Sequence, residues 1–138
     1  FYSGIKENGL VIINTSADLL SDEDRKTLQD LNVAVFNHDA TKLALEIGKT
    51  ELSTNMAMIG ACAGITNIVS LKALDGAIQD RFGKRYVASG GTATLDEAIK
   101  KKYAKKEMLL KANNDTIIEG HKIATEWAKT QNLQLVEV

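Results

Sequence analysis

An α/β fold, built as a three-layer sheet with flanking helices and a C-terminal helical extension, is predicted from three observations. Leu10, Val11, Ile12 and Ile13 form an unbroken apolar run between Gly9 and the turn residues Asn14, Thr15 and Ser16. This is the pattern of a strand covered on both faces of a parallel sheet. A helical segment and a second strand-like run then follow at the spacing of a right-handed crossover. Residues 55–64 are apolar almost all round, which marks a helix enclosed by the core.

The elements follow in order. Ser21 with Asp24, inside the acidic run Ser21-Asp22-Glu23-Asp24, predicts an N-cap with negative charge on the first helical turn. The helix runs to about Leu31 and buries Leu28 and Leu31. Val33 to Phe36 reads as the second strand, closed by Asn37, His38 and Asp39. Thr41 to Ile47 reads as a short helix that Gly48 stops.

In the apolar segment 55–64, Ala57, Gly60, Ala61 and Gly64 recur at i, i+3, i+4 and i+7, a stripe of small side chains that lets another backbone approach closely. Ser70 caps the next helix, whose Leu71, Leu74, Ile78 and Phe82 keep helical spacing until Gly83. Lys84 to Gly91 is a connector. Thr94 with Glu97 supplies a capping box for a long helix with Leu95, Ala98, Ile99 and Tyr103 on its apolar side. That helix passes through a lysine-rich stretch, Lys100 to Lys111, and through Asn113 and Asn114. It enters a second amphipathic run marked by Ile117, Gly120, Ala124 and Trp127. Leu133 to Val138 alternates as a strand or tether would.

With 138 residues the chain is one domain's worth. A formal charge of −1 argues against a protein held to nucleic acid by phosphate contacts. Cys62 is the chain's one cysteine, so these residues offer neither an internal disulfide nor the several thiolates of an iron–sulfur cluster or a zinc site. A reducing cytoplasm is the expected location. No apolar run reaches the roughly 18 to 20 residues that cross a bilayer, so no membrane role is expected. The chain begins at Phe1 rather than Met, and its first strand-like run has no preceding element to pair with. It reads as a fragment. The absence of proline has no physical account beyond the long helices.

Each candidate site residue has a functional and a structural reading. Asn14, Thr15 and Ser16 lie where α/β folds place ligand loops, beyond the carboxyl end of a strand, yet turn chemistry selects the same residues. Ser53, Thr54 and Asn55 open the most apolar helix, whose free amides suit a phosphate, carboxylate or partner carbonyl; N-capping explains them equally. Ser89, Gly90, Gly91 and Thr92 lack the phosphate-loop pattern and read as a turn. His38 beside Asp39 reads as a polar strand-end turn before it reads as an oriented base, and neither His38 nor His121 has a partner at metal-ligand spacing. Cys62 reads as a small hydrophobe, and Met56 and Met58 as core filler. The lysine run reads as a solvated helix face that also steers an acidic partner.

The string Thr54-Asn55-Met56-Ala57-Met58-Ile59-Gly60-Ala61 resembles the signature "NTAMLGA" of the gamma domain of 2-oxoacid:ferredoxin oxidoreductases. Gly9 to Ser16 resembles that domain's strand ending in an Asn-Thr-Ser turn, and Asp39 to Gly48 its "ATxLAxExG" helix. Ile68 to Phe82 resembles its "VSLEALEEAIxxxF" segment, and Asn114 with Gly120 a later "NxxAxxxG" pattern. The family's glycine-rich "GxGGQG" turn is missing and would precede Phe1. Residues 1–138 are therefore expected to be the C-terminal part of a gamma domain that lacks this segment.

The resemblance implies a partial Rossmann-like domain acting as a noncatalytic component of such an enzyme. The enzyme converts a 2-oxoacid such as pyruvate, with coenzyme A, to an acyl-CoA and carbon dioxide while reducing ferredoxin. It further implies thiamine diphosphate and [4Fe-4S] clusters held elsewhere in the complex, and other subunits or domains as partners, with ferredoxin met through the complex. Thr54, Asn55, Thr15 and Ser16 are the residues expected near coenzyme A or a neighbouring subunit, with no catalytic and no metal-ligating residue. Two readings of other classes stand beside it. One is the nucleotide-binding half of a dehydrogenase, which the missing GxGxxG turn disfavours; the other is a pure interaction module.

Overall fold

The structure is a computed structural model that describes residues 2–83, 97–131 and 133. The sequence-predicted turn at Ser89–Thr92, the cap at Thr94 and the terminal run beyond Leu133 lie outside the described residues. The chain is mixed α/β and mostly helical. Strand β1 (Leu10–Ile13) leads through helix α1 (Asp22–Asp30) to strand β2 (Ala34–Asn37). The two strands pair in parallel, with Leu10 opposite Ala34 and Ile13 opposite Asn37. Among the described residues the sheet has these two strands.

The expected N-cap opens α1, and the structure makes it a full capping box: Ser21 Oγ accepts from the Asp24 amide at 3.1 Å, and the Ser21 amide donates to the Asp24 carboxylate at 3.4 Å. The expectation of a strand covered on both faces is corrected here. All four residues of β1 are only half-buried. Their alternation sends Leu10 and Ile12, with Phe36 of β2, onto a core of Ala61, Ile65, Ala124 and Ala128. Val11, Ile13 and Val35 fall on the opposite side of the pleat.

Helix α2 (Ala40–Leu43) continues as a π-helical turn over Ala44–Gly48. The helical turn ends at Gly48, the expected stop, and the left-handed residue that follows is Lys49, at φ 59°. Gly48 is needed for space. A Cβ there would lie 2.8 Å from Thr116 Oγ1 and 2.9 Å from Ser53 Oγ. A single 3-10 turn, Glu51–Ser53, then leads into helix α3 (Thr54–Thr66), which ends at Asn67 with φ 54°. Ser70 caps helix α4 (Leu71–Ile78) through the Ala73 amide at 3.1 Å, as expected, and α4 runs on as a π-turn, Gln79–Gly83.

Helix α5 (Glu97–Thr130) is continuous through Asn113 and Asn114 and spans roughly 50 Å at 1.5 Å per residue. Its C-terminal half crosses α3, and this is the most extensive packing among the described elements. The small-residue stripe lies at that crossing. A Cβ on Gly60 would sit 2.2 Å from the Ile117 carbonyl oxygen, and one on Gly64 would sit 2.6 Å from that of His121. From the other side, a Cβ on Gly120 would sit 2.7 Å from the Ala57 carbonyl oxygen. Trp127 stacks on Phe36 with ring centroids 4.7 Å apart, tying α5 to the sheet. No described helix is long and apolar enough to cross a membrane.

Candidate functional site

The carboxyl ends of β1 and β2 and the first residues of α2 form one hydrogen-bonded unit. Asn14 accepts at Oδ1 from the Ala40 amide at 3.0 Å and the Thr41 amide at 3.3 Å, and its Nδ2 donates to Thr41 Oγ1 at 3.0 Å. The residue after β1 therefore caps the helix after β2, alongside Asp39, whose carboxylate accepts from the Lys42 amide at 3.1 Å. The sequence shows Asn14 as a turn residue; its partners, about one crossover away, are invisible to local pattern.

Thr15 and Ser16 lie on the loop that leaves this unit. Thr15 donates its amide to the His38 carbonyl and folds its hydroxyl back onto Ala17, donating to the carbonyl at 2.8 Å and accepting from the amide at 3.1 Å. Arg25 braces the same loop through the Asp18 carboxylate and the Leu20 carbonyl. A hydrogen bond from the Leu20 amide, aided by Arg25, holds the Asp18 carboxyl below its ordinary value. Ser16 is exposed.

Thr54 and Asn55 open α3. Thr54 Oγ1 donates to the Glu51 carbonyl at 2.7 Å, and Asn55 is exposed. Ser53, which the sequence offers as a cap, makes no side-chain cap bond. It is fully buried, and its hydroxyl donates to Asn113 Oδ1 of α5 at 2.8 Å. Its hydroxyl and that of Thr116, which donates to the Ala112 carbonyl, both lie against the bare Cα of Gly48. The first turn of α3 is thus left without a side-chain acceptor from its own N-cap residue. The Thr15–Ser16 and Thr54–Asn55 pairs stand on separate segments, related through Asn14 and α2, which packs on α3.

His38 is 3% exposed and stacks on Phe36 with ring centroids 5.2 Å apart. Asp39 is engaged with α2, and His38 Nε2 is buried without a hydrogen-bond partner. This enclosure suits a neutral packed ring better than an oriented base. Burial pushes its pKa below the ordinary 6.5, opposed by the Ala57 carbonyl and the charge of Asp39. The unfolded chain then binds the proton more readily, so stability rises with pH and is lost as pH falls through 6.5 towards the folded value. His38→Phe keeps an aromatic ring and removes this linkage. Denaturation midpoints measured above and below the ordinary histidine value should therefore converge in that variant relative to the parent.

A concavity of about 730 Å³ lies between the segment after α2 and the lysine-rich half of α5. Ile47, Leu52, Met108 and Leu109 supply its apolar lining, and Lys49, Lys102, Lys105, Lys106 and Lys111 its charge. Cys62 is half-buried on α3 as a free thiol. Among the described residues no three His, Cys, Asp or Glu side chains gather as a metal site would require.

Residues 1–93 match the family model described as pyruvate ferredoxin/flavodoxin oxidoreductase. Among curated relatives, the pyruvate synthase subunit PorC of Methanocaldococcus jannaschii is 39% identical over 79 residues, covering 57% of this chain and 39% of that protein. The pyruvate/ketoisovalerate oxidoreductases common subunit gamma of Thermococcus litoralis is 36% identical over 80 residues, covering 58% of this chain and 42% of that protein. The 2-oxoglutarate synthase subunit KorC of M. jannaschii is 32% identical over 80 residues, covering 58% and 40%. The matches thus span about two fifths of these relatives' length. No solved structure matches the chain significantly.

Proposed function

The chain belongs to the pyruvate ferredoxin/flavodoxin oxidoreductase family, and on that premise we propose that it is a gamma-type, noncatalytic component of a 2-oxoacid:ferredoxin oxidoreductase. The observation that carries this reading is that relatives matched over a similar length of this chain are named subunits of enzymes for pyruvate, ketoisovalerate and 2-oxoglutarate. The reaction proposed for the assembly joins a 2-oxoacid to coenzyme A, releases carbon dioxide and passes two electrons to ferredoxin. The partners proposed are the other subunits or domains of the complex, in the cytoplasm.

Thiamine diphosphate and [4Fe-4S] clusters would supply the carbanion and electron-transfer chemistry of such an assembly. This chain's donor set does not fit a cluster: Cys62 is its one thiol, and four-thiolate ligation is the usual requirement. The clusters are therefore assigned to other subunits or domains, and the family reading places thiamine diphosphate there too.

Residues 1–138 are read as the C-terminal part of a gamma domain. The half-buried outer side of β1 and β2 supports a larger, three-layer sheet in the complete domain. The family reading also favours an assembly component over a dehydrogenase half.

For the contact with coenzyme A or the neighbouring catalytic subunit, we propose Thr54 and Asn55 at the start of α3, with Thr15 and Ser16 on the adjoining loop. Support comes from the exposure of Asn55 at the start of α3 and from Ser53, whose hydroxyl is turned inward to Asn113 and so does not cap the helix; the Thr54 amide is already taken by the Glu51 carbonyl. The test uses the assembled enzyme, with methyl viologen reduction as the readout and pyruvate and 2-oxoglutarate as substrates. The chain alone should show no turnover above buffer. Asn55→Ala should raise KM for coenzyme A, or weaken subunit docking, by about 1 kcal/mol, the scale of one hydrogen bond. A lowered Tm with KM and docking unchanged would reduce Asn55 to a structural role. Assembly and turnover that do not depend on this chain would sink the wider reading.

A further inference from the structure

We propose that the lysine-lined groove between Ile47–Leu52 and the first half of α5 is a docking site for an acidic amphipathic segment of a partner protein. Residues 100–111 carry six lysines and one acid, Glu107, in a chain whose formal net charge is −1, so positive charge is gathered on this helix against the balance of the molecule. Lys102, Lys105, Lys106 and Leu109 recur at i, i+3, i+4 and i+7 and therefore share one face of α5, which lines the groove. Asp115, the acidic residue of the groove's lining, is already paired with Lys111 at 2.6 Å.

The apolar lining narrows the class of partner. Leu52 is 78% exposed and Met108 is 73% exposed, on opposite walls of one groove. A phosphate or a nucleic-acid backbone would find charge here but would leave these apolar side chains in water. A segment with apolar residues on one side and Asp or Glu along its edges matches both features.

The groove is also placed to receive a partner. The contacts with α3 and with Ser53 just before it occupy α5 from Asn113 onward, so the lysine-rich stretch that ends at Lys111 stands clear of that interface. One wall, Ile47–Leu52, lies inside the stretch matched by the family model, and the other lies beyond residue 93. Charge and lining belong to this chain alone, so the proposed docking does not depend on which reaction the assembly performs.

The test has two arms. In the first, a synthetic helical peptide with Leu at i, i+3, i+4 and i+7 flanked by Glu is titrated into the full chain and followed by fluorescence anisotropy. Two changes should each weaken binding at least tenfold: replacing its Glu by Gln, and the double substitution Lys102→Glu with Lys105→Glu. Met108→Ser, at an exposed position that folding does not need, should weaken it about threefold or more. In the second arm, zero-length carbodiimide coupling of the native assembly should join Lys102 or Lys105 to Asp or Glu of another polypeptide.

Peptide affinity indifferent to the lysine reversals would overturn the proposal. So would coupling confined to a second copy of this chain, which would make the groove a self-association surface. Binding to vesicles of anionic phospholipid or to inorganic phosphate, equal to that of the peptide and without interchain coupling, would overturn it in favour of a small anion or a lipid surface.

Discussion

Gly60→Leu is expected to break the crossing of α3 and α5 and to lower Tm by roughly 10 °C, which for a chain of this size corresponds to about 3 kcal/mol, the upper end of the usual cost of overpacking. The reason is backbone on backbone. A Cβ at this position would lie 2.2 Å from the Ile117 carbonyl oxygen and 3.0 Å from its Cα, where no rotamer change relieves the contact. To admit even a methyl group, α5 must move away from Phe36, Ala61 and Ile65, which share its core cluster. Gly76→Ala is the control. Gly76 lies in the middle of α4, and a Cβ added there would meet nothing within 4 Å. The change should therefore raise stability by about 0.5 to 1 kcal/mol through helix propensity alone. Thermal melts of both variants check the pair, and an unchanged Tm in Gly60→Leu would show that the helices separate at little cost.

The stripe at Ala57, Gly60, Ala61 and Gly64 is legible in the sequence because side-chain size at helical spacing is a local property, and so are the capping residues Ser21 and Ser70. The buried side of α5, marked by Ile117, Gly120, Ala124 and Trp127, is legible too, but that it packs on the stripe is shown only by the structure. What local pattern conceals are contacts made at long range. Gly48 reads as a helix stop, but the structure uses its missing side chain to admit Thr116 and Ser53. Ser53 reads as a cap, but its hydroxyl crosses to Asn113, sixty residues on. The apolar run of β1 overstates its burial, because hydrophobicity records what a strand can bury and not how many layers cover it. Of the candidate site, the residues Thr15, Ser16, Thr54 and Asn55 can be named from turn and helix-start chemistry, while the unit formed by Asn14 with α2 cannot.

Asn14→Ala should destabilise the chain by about 1 to 2 kcal/mol, the range for losing a helix cap together with a neutral side-chain hydrogen bond. Asn14 fastens the end of β1 to the start of α2 through the Ala40 amide, the Thr41 amide and the Thr41 hydroxyl. The Ala40 amide retains the His38 carbonyl at 2.8 Å, so the loss falls chiefly on Thr41. Asn14→Asp separates capping from mere polarity. Its carboxylate keeps both backbone contacts, the Thr41 hydroxyl can turn to donate to it, and negative charge at a helix start is favourable. Repulsion from Asp39, which caps the same helix, sets the limit of this rescue. The expected order of Tm is parent, then Asn14→Asp within a few degrees, then Asn14→Ala clearly below. Because Thr15 follows directly and donates its amide to His38, Asn14→Ala should also loosen the loop carrying Ser16, seen as faster amide exchange from Thr15 to Leu20. Equal melting temperatures for the alanine and aspartate variants would mean that Asp39 alone is sufficient to start α2.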